Sequence, residues 1–199
     1  MPSILMLTYG HAAETGAALR RFAAPGRDVV PRDQYALDEE PLEHHAALVI
    51  GMHADQRHLA ARAGRLAGYL AQGGTIAASG HLAYPFLPDV SGFQPLPTGH
   101  LDDLRIHREA AHPIWAGVSE QDLTFRRGVA GFYGRGWHIP PPRARVLHSV
   151  GREHRPLDIM WRHGKGRVLL HGGNDLWSFG AGDIARNLFD WLLAGPEVL

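Results

Sequence analysis

Two short apolar runs without alternation, residues 46–50 (AALVI) and 75–79 (TIAAS), limit the fold more than any other feature of the chain. A strand with one wet face alternates apolar and polar side chains. A strand that is apolar throughout is covered on both faces, as in a parallel sheet between helical layers. Between the two runs, Leu59, Ala63, Leu66, Ala67 and Leu70 follow the stripe of an amphipathic helix. Asp55 is placed to cap its start and Gly73-Gly74 to end it. Strand, helix, strand is the right-handed crossover that joins parallel neighbours.

The alternation extends to the N-terminus. Residues 3–8 (SILMLT) read as a buried first strand, 14–22 as a short helix, and 28–31, with Val29-Val30, as a second strand. Residues 82–142 break the pattern: rich in Pro, Gly and aromatics, they are expected to form long ordered loops with one candidate strand at 123–126. Phe86, Phe93, Trp115, Phe132, Tyr133 and Trp137 make that stretch too apolar for a tether. Strands resume at 145–150, 157–161 and 167–171, the last two joined by a turn at 163–166. A closing helix is capped by Asp183 and carries Ile184, Ala185, Leu188, Phe189 and Leu192. The expected sheet is mixed, its parallel core formed by the strands at 3–8, 28–31, 46–50 and 75–79.

Composition narrows the function classes. A chain of 199 residues fits one domain over 1–199. Lys+Arg and Asp+Glu both count 20, which leaves no net field to draw nucleic acid or an anionic membrane. The N-terminus MPSILMLTYG lacks a basic signal-peptide region, and no apolar run nears the roughly 20 residues of a membrane span. A cytoplasmic protein is expected, with neither a nucleic-acid nor a membrane partner. The absence of cysteine excludes disulfides, thiolate metal sites and thiol nucleophiles. Lys165 is the only lysine, and Ala, Gly and Pro abound, a GC-rich, bacterial-like bias that also enriches His. The 14 histidines therefore count by position and not by number.

Position singles out four of them. His11, His53, His81 and His171 each come after a predicted strand at or near its C-terminal end, and in open α/β sheets that edge holds the ligand crevice. Asp55, Asn174 and Asp175 lie close by in sequence and complete the candidate ligand-binding set. His11, His53 and His81 are expected along one edge, walled by the aromatic loops of residues 82–138. Any one of them, taken singly, reads first as a polar loop residue; the expectation of a shared pocket rests on at least two of the four. There is no HExxH and no GxGxxG, so neither a metal nor a cofactor is expected. Ser79 is not in a G-x-S-x-G setting and reads as a strand-end serine. The stretch GFYGRGWH at 131–138 has three readings: a platform for a sugar ring, a contact between copies in a homo-oligomer, or a satellite core.

ALVIGMHADQ before a helix, then GGTIAASGH, HPIWAG and GKGRVLLHGGND before a closing helix, resemble the ThuA-like (trehalose utilisation) branch of the class I glutamine amidotransferase-like superfamily. The resemblance implies a flavodoxin-like, amidotransferase-like three-layer α/β sandwich with a mostly parallel central sheet and a C-terminal run of strands. It also implies a link to sugar utilisation. Members that hydrolyse glutamine place a cysteine on the turn after the strand that comes after Gly-Gly, and pair it with a late His-x-Glu. Here that turn is Ser79, Gly80, His81 and Leu82, and the only His-x-Glu, His107-Arg108-Glu109, falls in the middle loops and reads as chance. A thiol-dependent glutaminase is excluded by residue type. Two readings stay open: a small-molecule, sugar-related enzyme or binding protein, and a non-catalytic structural or regulatory partner on the same fold.

Overall fold

A computed structural model of the chain describes residues 3–10, 22, 24, 26–97 and 99–195. His11, and the helix expected at 14–22 apart from Phe22, lie outside the described residues. The strands are β1 (Ser3–Thr8), β2 (Asp28–Asp33), β3 (His45–Ile50), β4 (Thr75–Ser79), β5 (Gln94–Pro95), β6 (Ile106–Arg108), β7 (Phe125–Arg126), β8 (Val129–Ala130), β9 (Gly136–Trp137), β10 (Arg145–Val150), β11 (Arg155–His163) and β12 (Gly166–His171). Eight of them form one sheet in the order β2-β1-β3-β4-β12-β11-β10-β6. The pairings from β2 through β12 are parallel, and those of β12 with β11, β11 with β10 and β10 with β6 are antiparallel. The expected parallel core is present, with β12 as a fifth member.

Strand geometry divides the core in two. Ile4, Met6, Ala47, Val49, Ala77 and Leu169 point to one face, where Leu188, Phe189 and Leu192 of the Ile184–Leu193 helix cover them. Leu5, Leu7, Leu48, Ile50, Ile76, Val168 and Leu170 point to the other, beneath Leu59, Leu66 and Leu70. Helices on both faces of a mostly parallel sheet make the three-layer α/β sandwich, and they explain why β1, β3 and β4 carry unbroken apolar runs while the edge strand β2 keeps exposed polar residues. Among the described residues, no helix is long and apolar enough to cross a membrane.

Four local expectations change. The helix after Asp55 is two helices, Gln56–Ala60 and Ala63–Ala71. At the break the Arg62 amide bonds to Leu59 O instead of His58 O, and the Arg62 guanidinium donates to the His58 carbonyl so left open, at 3.1 Å. The candidate strand at 123–126 is mostly helix: Ser119 and Asp122 cap Glu120–Thr124 reciprocally, and only Phe125–Arg126 pair as a strand, with Val129–Ala130. Asp183 occupies the position before the last helix without capping it through its side chain, which accepts a bond from Arg186 at 2.7 Å. The loops of 82–142 hold more pairing than expected, including β6 on the edge of the main sheet and the small β5–β9 ribbon.

Candidate functional site

The parallel strands end on one edge, and the loops leaving those ends come together there. The turn after β4 is tight: Gly80 has φ +119°, and a Cβ on it would stand 2.9 Å from the Met52 Cα, in the loop leaving β3. The Gly80 amide donates to the His171 carbonyl at 2.9 Å, which ties the turn to the end of β12. The Met52 amide donates to Asp175 Oδ1 at 2.7 Å, and the Leu176 amide to Ser79 Oγ at 3.2 Å. Ser79 is thus the strand-end serine its sequence setting indicates. Burial pushes the Asp175 carboxyl above its ordinary value, against the opposing bond from Met52 and the nearby His53 and His171. Burial, with the charge of Asp175 added, pushes the Tyr9 hydroxyl up to about 12.

His171, the last residue of β12, is fully buried, and its Nδ1 lies 2.5 Å from Asp158 Oδ1 on the antiparallel neighbour β11. The other oxygen of Asp158 accepts from His148 Nδ1 at 2.9 Å and from the Tyr133 hydroxyl at 2.7 Å; that hydroxyl in turn accepts from Trp115 Nε1 at 2.7 Å. Burial alone would raise the Asp158 carboxyl. The pull of His171 and the bonds from both histidines outweigh it and hold the group well below the ordinary carboxylate range. A carboxylate that takes Nδ1–H fixes the imidazole tautomer and leaves Nε2 as the basic nitrogen. Gly173 packs against that nitrogen, where a Cβ would come within 2.6 Å.

His81 is exposed on the turn and stacks on Phe93, ring centroids 3.8 Å apart, while Phe93 meets the buried His138 edge-on at 5.4 Å. His138 Nε2 accepts the Leu82 amide at 3.3 Å. Desolvation, with the charge of His171 added, lowers the His81 pKa, and desolvation beside His81 and His171 lowers that of His138 to about 4.

The candidate residues do not all meet. His81, His171 and Asp175 share this edge, and His53 stands exposed beside it, its ring 5.8 Å from Tyr9. Asp55 is engaged elsewhere: it caps the Gln56–Ala60 helix through Arg57 and His58 and accepts from the Tyr35 hydroxyl at 3.0 Å. Asn174 makes one long bond, 3.4 Å, to the Phe132 carbonyl. No side-chain hydrogen bond joins His53 to His81 among the described residues. His107-Arg108-Glu109 lies on and beside the edge strand β6, where Glu109 bonds Ser149 and His154, apart from the β4 turn. Sequence reasoning misses Asp158 and His148, and reaches Tyr133 and His138 only as part of the aromatic stretch 131–138. The signal for Asp158 is a carboxylate inside the apolar run LDIMW.

The same edge of the sheet also carries a cavity of about 790 Å³. It opens between the β5–β9 ribbon and the turn from β10 to β11, lined by Gln94 and Trp137 on one side and by Arg152, Glu153 and Arg155 on the other. It does not include His81 or His171.

No family model matches the chain, and no curated protein does. Solved structures share its fold at low identity. Cytoplasmic protein STM1381 from Salmonella typhimurium LT2 is 15% identical over 96% of this chain and 99% of its own, with a TM-score of 0.59. Cytoplasmic protein STM3548 from Salmonella typhimurium is 12% identical over 96% of this chain and 97% of its own, with a TM-score of 0.61.

Proposed function

We propose that the chain is a small-molecule enzyme or binding protein of the ThuA-like kind, one α/β domain that takes a sugar-related ligand at the carboxyl edge of its sheet. The observation that carries this reading is the Asp158–His171 pair at the end of β12, with His81 on the adjoining turn. The chemistry is that of a carboxylate-oriented imidazole, a group suited to moving a proton at Nε2. His81, exposed and stacked on Phe93, is the group that meets the ligand. Its lowered pKa keeps it neutral at pH 7, able to donate from one nitrogen and accept at the other.

Glutamine hydrolysis by a thiol is not part of the proposal, because the chain contains no cysteine. A non-catalytic structural or regulatory role is the competing reading, and the close packing of Gly80 on Met52 favours it, since that contact fills the crevice between the ends of β3 and β4.

A thermal-shift screen of neutral sugars and sugar phosphates against the full chain and its His81→Ala variant separates the two. The small-molecule reading expects at least one compound to raise the melting temperature, with the rise lost in His81→Ala. The free variant should melt within about 1 °C of the parent, well short of the several degrees that ~1 kcal/mol costs. If no compound acts on the parent, or if His81→Ala itself melts several degrees lower, the residue is a structural strut and the competing reading stands.

A further inference from the structure

We infer that the cavity between the β5–β9 ribbon and the β10–β11 turn is a second site, for a neutral carbohydrate of disaccharide size, distinct from the His81–His171 cluster on the same edge of the sheet. The ribbon separates the two compartments. Gln94 and Trp137 are register partners and line the cavity, whereas Phe93 and His138, one residue away on each strand, turn to the other side and contact each other and, through Phe93, His81. Neighbouring residues of a strand face opposite ways, so one ribbon walls the cavity with one face and roofs the histidines with the other.

The lining chemistry selects the ligand class. Two arginines and two carboxylates face the space, and each cation is already matched: Arg152 with Asp103 at 2.8 Å, and Arg155 with Glu153. An anion would meet two carboxylates and find no unmatched cation. A zwitterion needs separated poles, and here each guanidinium lies against its own carboxylate. A polyol suits the arrangement, because each hydroxyl both donates to a carboxylate and accepts from a guanidinium. The pairs are only partly buried and keep outward-facing donors and acceptors, so hydroxyls can share them without separating the partners.

The apolar part of the lining fits as well. Leu96 and the part of the half-buried Trp137 ring not covered by the Arg155 guanidinium, 4.8 Å from its centroid, provide surface for the C–H faces of a pyranose. A volume of about 790 Å³ is in the upper part of the range for small-molecule sites, more room than one hexose or one amino acid fills. The site rests on its own lining, so it stands whether or not the histidine edge takes a ligand.

The test titrates maltose and cellobiose into the full chain by calorimetry. Glucuronate and inorganic phosphate serve as anionic probes and glutamine as a zwitterion. Arg155→Ala, Gln94→Ala and His81→Ala are run in parallel, each checked for an unchanged melting temperature. The expected result is saturable binding of a neutral disaccharide, weakened at least tenfold by Arg155→Ala or Gln94→Ala and unaffected by His81→Ala. Absence of binding by both disaccharides up to about 10 mM, past the weak millimolar range, overturns the site. So does binding of only the anions or only glutamine. Disaccharide binding lost in His81→Ala but kept in Arg155→Ala moves the ligand to the histidine edge, which overturns this proposal and supports the other.

Discussion

In the parallel half of the sheet, from β2 to β12, buried polar side chains stand at strand ends: Ser3, Thr75 and Arg167 at the starts, Ser79 and His171 at the finishes. Between them β1, β3, β4 and β12 are apolar on both faces, and only the edge strand β2 is mostly exposed. The antiparallel half differs. β10 and β11 bury His148 and Asp158 in mid-strand, with Tyr133 and Trp115 completing a polar chain through the core. The first half gains its stability from area removed from water, a term indifferent to pH. The second holds a charge in a dry interior, so its stability depends on every partner being in place.

The contrast is tested most severely at Asp158. Asp158→Ala strands three donors, from His148, His171 and Tyr133, and is expected to lower the free energy of unfolding by about 3–5 kcal/mol, read from urea denaturation. A loss below about 1 kcal/mol would mean that the network is replaceable. In the parallel half, Leu48→Ala is expected to cost about 3 kcal/mol by leaving a cavity in an apolar layer. That loss should be the same at pH 5 and pH 8; a marked pH dependence would erase the distinction between the halves.

Acid should act on the loop-covered half. His138 and His112 have folded pKa values lowered to about 4 by desolvation, in His138 reinforced by His81 and His171 and in His112 by Arg145 and Arg167. A histidine with a depressed folded pKa stays neutral in the folded chain while the unfolded chain binds its proton. Its contribution is therefore complete above about pH 6.5 and is lost as pH falls toward 4. The depressed carboxyl of Asp158 adds to the loss further down, below about pH 4. The urea midpoint of the parent should fall between pH 7 and pH 4.5, and His138→Gln should flatten that slope by roughly 2 kcal/mol. An unchanged slope would place His138 in contact with water in the folded chain. The smallest effect belongs to Asp55→Ala, which removes a helix cap at a cost of ~1 kcal/mol without touching either half of the interior.

Legibility in the sequence divides along the same line. The parallel strands are legible because an apolar run such as AALVI leaves no choice of face. Strands of two or three residues, β5, β6 and β9, are too short to carry a period, and their pairing depends on loops that meet across the fold. The Asp158–His171 pair is within reach of the sequence. With β11 and β12 joined by the two-residue turn Gly164-Lys165, His163 pairs with Gly166, and counting five residues back from each side of that turn sets Asp158 opposite His171. The partners His148 and Tyr133 are not, since β10 carries register shifts and Tyr133 arrives from a loop. Strand ends bring His81, His171 and Asp175 to one edge, but the same reasoning also picks Asp55, whose carboxylate closes a helix and not a crevice.

The knot of Gly80, Met52, Asp175 and His171 has a consequence for kinetics. Three strand ends are fastened to one another before any ligand arrives, by the Gly80 amide, the Met52 amide and a contact that admits no side chain at position 80. A guest at His81 would meet a surface with little left to order, and would avoid much of the roughly 0.5–1.5 kcal/mol lost for each side chain immobilised on binding. Association there should be a single fast step without a slow closing phase, and the ligand should leave as freely as it enters.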